Sequence, residues 1–186
     1  MRGITKAAAE DVIERFSLGA ANRLLAGYWL SLWQGDDPPR YERFNSAGLS
    51  DLVPNLMLFD VLPERHVTIR KAGIDLCRIL NEDLDGTDWV KRAPMRSHRL
   101  YMRNFSTVAR GAAIIGRRRI SMASGGPRFN EELVLPFAPR ADGTCPVIGH
   151  VDWKMDYRLR FRAIIAMENI ADDRILPFRK KASGDL

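Results

Sequence analysis

The stretch VTIRKAGIDLCRILNEDLDG, Val67 to Gly86, restricts the fold more than any other part of the chain. Val67, Ile69 and Lys71 alternate with Thr68 and Arg70, the period of a strand with one covered face. From Ile74 the spacing changes. Ile74, Cys77, Leu80 and Leu84 fall into partial helical register, with Leu76 and Ile79 in an adjacent line. Gly73 stands at the change, and the pattern predicts that it lets the backbone leave the strand at an angle most residues resist. Gly86 is the expected carboxy-terminal cap, followed by Trp89 as a large apolar plug. A strand that turns at once into a short helix requires a sheet with helices laid across it.

The flanking sequence extends this layout. Leu56 to Leu62, LMLFDVL, reads as a strand that forms a hairpin with the first through a turn at Pro63 and Glu64. Upstream, Lys6 to Gln34 reads as one long helix. One row carries Val12, Phe16, Ala20, Leu24, Tyr28 and Leu32, and its neighbour carries Ile13, Ala21, Leu25, Trp29 and Trp33. Gly19 and Gly27 each cost this helix about 1 kcal/mol, so it needs packing, either on its own core or on the same helix of a second chain. Leu24, Tyr28, Trp29 and Trp33 would form the seam of such a dimer. A short helix capped by Ser46 or Ser50 is expected before Pro54. Downstream, Met95 to Arg110 reads as a helix closed by Gly111. Ala112 to Ala123 reads as a strand interrupted by GRRR, SGGPR as a turn, and Arg128 to Ala138 and VIGHVDW as further strands. Beyond Trp153 the pattern alternates and then looks helical, ending in a basic tail expected to be mobile. The sum is an α+β fold, one antiparallel sheet with helices gathered on one side.

Composition bounds the function. A 46% hydrophobic content supports a proper core. No apolar run reaches the roughly 18–20 residues of a membrane helix, and the amino terminus lacks a signal-type apolar core, which implies a cytoplasmic protein. Cys77 and Cys145 stand alone and read as free thiols. The charge of +6 is uneven: net −4 from Met1 to Val90 and net +10 from Lys91 to Leu186. The basic half can attract polyanions or an acidic partner.

The stretch YWLSLWQGDDPPRYERFNSAGLSDLVPNLMLFDV, followed by VTIRKAGIDLCRILNEDLDGTDW, resembles the bacterial stand-alone PAS-like family. The likeness rests on Tyr28 and Trp29, on the strand Leu52 to Val61, and on Ala72, Gly73, Leu76, Leu84 and Gly86. EELVLPFAP and GTCPVIGHV resemble that family's last two strands, so the likeness runs from about Leu24 to Trp153. It implies a PAS-like five-stranded antiparallel sheet with short helices on one face, a long N-terminal helix and a C-terminal extension. The expected division is 1–39 for the helix and linker, 40–153 for the PAS-like domain and 154–186 for the extension. Ile69, Leu76, Leu80, Trp89, Tyr101, Phe105, Leu133 and Leu135 would wall a hollow between sheet and helices. The implied role is a sensory or regulatory module and not an enzyme. It would act on a protein partner of a signalling pathway, with a homodimer and a small ligand or nucleotide as further partners. No cofactor is assigned.

Sites with sharper chemistry find little support in the residues. His98 stands where haem-binding PAS domains carry their iron ligand, but it is flanked by Arg96 and Arg99, off the apolar line of Tyr101 and Phe105. Cys77 precedes the helix-ending glycine and follows Leu76, unlike the flavin-linked cysteine of light sensors. His150 and Asp152 share a strand face without a third metal ligand. No nucleotide-loop or nucleophile-elbow motif is present. Arg96, Arg99, Arg103, Arg117, Arg118, Arg119 and Arg128 form the candidate surface for an anion or partner, since guanidinium groups pair bidentately with phosphates and carboxylates. Two other readings stand beside the sensory one: a nucleotide- or nucleic-acid-binding regulator using the basic half, and a structural dimer.

Overall fold

The computed structural model describes residues 5–35, 37–122, 127–153, 164–169 and 174–177. Strands β1 (Leu56–Leu62) and β2 (His66–Ala72) form the expected hairpin. Its turn passes through Glu64 at φ 63°. The pairing slips between Leu58 and Phe59, leaving Arg70 as the extra residue, and this bulge moves Lys71 off the face of Val67 and Ile69. Strands β3 (Ala112–Met122), β4 (Pro127–Pro136) and β5 (Cys145–Trp153) complete an antiparallel order β2-β1-β5-β4-β3. Because β2 and β3 lie at opposite ends of this five-strand order, the chain between them must cross it. Helices α3 (Ile74–Leu80), α4 (Trp89–Arg92) and α5 (His98–Ala109) make that crossing and cover the inner face.

The junction at Gly73 has a different cause from the one its sequence suggests. Its backbone is ordinary, φ −65° and ψ 150°. A Cβ there would lie 2.2 Å from the Pro54 carbonyl oxygen, so glycine is required by close backbone approach. Helix α3 ends at Asn81, which adopts the left-handed conformation at φ 53°, and not at Gly86. Gly86, at φ 76°, turns the chain back so that its N–H reaches the Ile69 carbonyl. Ser46 and Ser50 do not cap a helix. Asn45 caps a single 3-10 turn at Ser46–Leu49 instead.

The long amino-terminal helix is two helices, α1 (Lys6–Glu14) and α2 (Ala20–Ser31), and they cover the outer face, opposite α3–α5. The break buries Leu18 and frees the Gly19 N–H to bond Glu131 Oε1 at 2.8 Å. That contact spans 112 residues of sequence and overrides local helix periodicity. Helices therefore lie on both sides of the sheet, and not on one side only.

GRRR does not interrupt β3. Gly116 to Arg119 pair without a break with Glu132 to Phe129. The SGGPR turn falls largely outside the described residues, and β4 begins at Pro127. Two further strands extend the sheet: β6 (Ile164–Asn169), where the sequence looked helical, and β7 (Arg174–Pro177), within the expected tail. Both pair with β3. The rest of that tail, 178–186, lies outside the described residues.

Candidate functional site

The inner face has an apolar centre. Phe59 of β1 lies with its ring centroid 5.0 Å from Phe105 and 6.0 Å from Trp89, in edge-on contacts. Gly149 of β5 makes room beneath it, since a Cβ there would sit 3.2 Å from the Phe59 ring. Of the eight wall residues expected from sequence, Ile69, Leu76 and Phe105 are buried in this cluster and Leu80, Trp89 and Tyr101 pack against it. Leu133 and Leu135 do not join them. They point to the outer face, under α2, while Val134 faces inward. Phe59, Val151 and Trp153 complete the inner wall and were not in the expected set.

One end of this face is polar. Asn130 stands directly opposite Trp153 across the β4–β5 ladder, so the two side chains share a face. Glu132, two residues along, shares it too and lies opposite Gly116 of β3. Asn104 comes from α5, which packs on β3, β4 and β5. Asn104, Asn130, Glu132 and Trp153 are all buried. Asn104 Oδ1, Asn130 Oδ1 and Trp153 Nε1 have no hydrogen-bond partner among the described residues. Buried polar atoms are satisfied in the great majority of cases, so these three stand out on the inner side of the sheet.

With this geometry the comparison with known families is direct. The profile of the PAS domain matches residues 19–152, a span that includes α2 and the five central strands except the last residue of β5. The chain belongs to the PAS domain family. No curated protein matches it. Membership makes it a sensory or regulatory type of module. Among the described residues no helix is long and apolar enough to cross a membrane.

The outer face of this PAS domain holds a second polar group, and there the bonds are made. Asn22 of α2 donates to the Glu131 carbonyl at 3.2 Å and to Glu131 Oε1 at 3.0 Å. Its own Oδ1 accepts from His150 Nδ1 at 2.7 Å. Arg117 holds Glu131 Oε2 at 3.1 Å and the Ser17 carbonyl at 2.7 Å. Burial would push the Glu131 carboxyl up, but the bonds from Asn22, the Gly19 N–H and Arg117 outweigh it and hold the group below its ordinary range. Burial lowers His150 to about 4, against a smaller opposing pull from Glu131, so its ring is neutral at pH 7.

The remaining sequence candidates separate. Arg117 is committed to Glu131. Arg118 and Arg119 occupy successive β3 positions in register with Asn130 and Phe129, and Arg128 pairs in register with Ile120. Arg96, Arg99 and Arg103 are exposed at and along α5. Trp29 and Trp33 are buried under the chain's own sheet, with Trp29 Nε1 donating to the Pro136 carbonyl at 2.8 Å, so neither is free for a dimer seam. Tyr28 is held by Asn45, and Leu24 alone of the four is exposed, at 51%. His98 Nε2 donates to the Ala93 carbonyl at 2.8 Å, so that ring nitrogen is not open to a metal. Cys77 is half-buried. Cys145 is buried, and that burial pushes its thiol up to about 12. Among the described residues no three His, Cys, Asp or Glu side chains come together as metal ligands.

Proposed function

We propose that this PAS domain senses a small polar molecule on the inner face of its sheet and reports it through protein contacts. The observation that supports this is the set of buried, unpartnered atoms Asn104 Oδ1, Asn130 Oδ1 and Trp153 Nε1. Each orphaned group costs a fold about 1–3 kcal/mol, a cost that a fitting ligand would remove. The amide oxygens call for donors and the indole N–H for an acceptor. That combination suits a neutral molecule bearing hydroxyl or amide groups. Binding would shift the packing of α5 against the sheet and so alter the surface a partner reads.

The two competing readings have less support. A nucleic-acid surface loses Arg117 to an internal ion pair, and a dimer seam loses Trp29 and Trp33 to the core. Native mass spectrometry of freshly purified protein, with an absorption spectrum of the same sample, tests the sensory reading. The expected result is a non-covalent small-molecule adduct that Asn130→Leu abolishes. A bare mass throughout, with a colourless sample, would contradict it.

A further inference from the structure

We propose that a cleft between α5 and the β1–β2 turn seats a phosphate monoester, at a site separate from the inner face and independent of it. The cleft has a volume of about 270 Å³ and is walled by Glu64, Arg99, Met102, Arg103, Ser106 and Arg110. Residues 99, 103, 106 and 110 are spaced by four, three and four, so they form one row along the helix. Helix α5 contains no Asp or Glu to offset these guanidinium groups. Arg110 is paired with Glu64 at the rim. Arg99 and Arg103, one turn apart, have no carboxylate partner among the described residues. Like charges so placed repel, and an anion between them would relieve that repulsion.

A second observation points to an oxyanion. Ser106 is only 2% exposed, and its Oγ accepts the Glu64 N–H at 2.9 Å. Its hydroxyl proton has no acceptor among the described residues, and the residue lines the cleft. A phosphate monoester brings close to two negative charges at pH 7 and three acceptor oxygens. It can therefore answer two forked guanidinium groups and one hydroxyl donor together. A carboxylate, with one charge, would balance only one of the two guanidinium groups. The volume lies at the small end of ligand pockets, so the cleft admits the phosphoryl head and little beyond it. The head can come from a small phosphate ester or from a phosphorylated side chain.

Calorimetric titration of the full chain at low salt tests this, with O-phosphoserine and a phosphoserine peptide as probes. The expected result is saturable binding that falls about tenfold or more in the R99Q/R103Q double variant, as charge-assisted bonds are lost. Arg78→Gln, which removes an exposed arginine of α3 outside the cleft lining, should leave affinity within about twofold, since that guanidinium already pairs with Asp75. Much tighter binding of the peptide assigns the phosphate to a protein, and equal binding assigns it to a small ester. Absence of saturable binding, equal loss in Arg78→Gln, or acetate binding as tightly as O-phosphoserine would overturn the proposal.

Discussion

Under α2, on the outer face, Glu131, Asn22 and His150 are buried with their hydrogen bonds made. Under α5, on the inner face, Asn104 Oδ1, Asn130 Oδ1 and Trp153 Nε1 are buried without partners among the described residues. The two faces belong to one sheet, and strands β4 and β5 supply polar side chains to both. A satisfied buried network holds one arrangement in place. A set of orphaned groups leaves free energy to be recovered on binding. Trp33 Nε1 is also unpartnered on the outer side, so the contrast lies between two polar groups: on the proposed reading the Glu131 network is the seal of the domain and the polar end of the inner face its receptor.

The largest expected effect lies on the sealed side. Trp29→Ala removes a ring packed edge-on against Trp33 at 5.4 Å and the bond to Pro136. It should cost about 3–5 kcal/mol in urea denaturation, the range of large core truncations. A loss under 1 kcal/mol would mean that α2 is not integral to the fold.

Acid should weaken the same face. His150 is lowered in the folded state to about 4 from an ordinary 6.5. Its stabilisation is therefore complete above pH 6.5 and is lost as pH falls from 6.5 toward 4, in all about 3 kcal/mol. Glu131, also held low, adds a loss in the same direction at more acid pH. Stability measured across this window should decline in the native chain and decline less in His150→Gln. A flat profile would show that the network does not carry the seal.

The elements with clean periodicity were legible in the sequence: the β1–β2 hairpin, helix α5 and strand β5. What was not legible came from contacts distant in sequence. Nothing near Gly19 announces Glu131, so the break between α1 and α2 was hidden. In LVLPF every residue is apolar, as suits a strand covered on both faces, and alternation could not say which side Leu133 and Leu135 take. The role of Gly73 depends on Pro54, which folds back against it, and not on its own dihedral angles. Six of those eight residues join the inner apolar cluster, because apolar periodicity marks a core. The polar end could not, because Asn104, Asn130 and Trp153 come from three elements with no shared motif.

A paired denaturation of Asn22→Leu and Asn104→Leu tests the contrast between the faces most directly. Asn22→Leu strips partners from both Glu131 and His150 and should cost roughly 2–4 kcal/mol. Asn104→Leu removes an orphaned oxygen and should leave the ligand-free protein unchanged or up to about 1–2 kcal/mol more stable. Equal losses in the two variants would contradict the account, because Asn104 would then be bonded within the fold and not held open for a ligand.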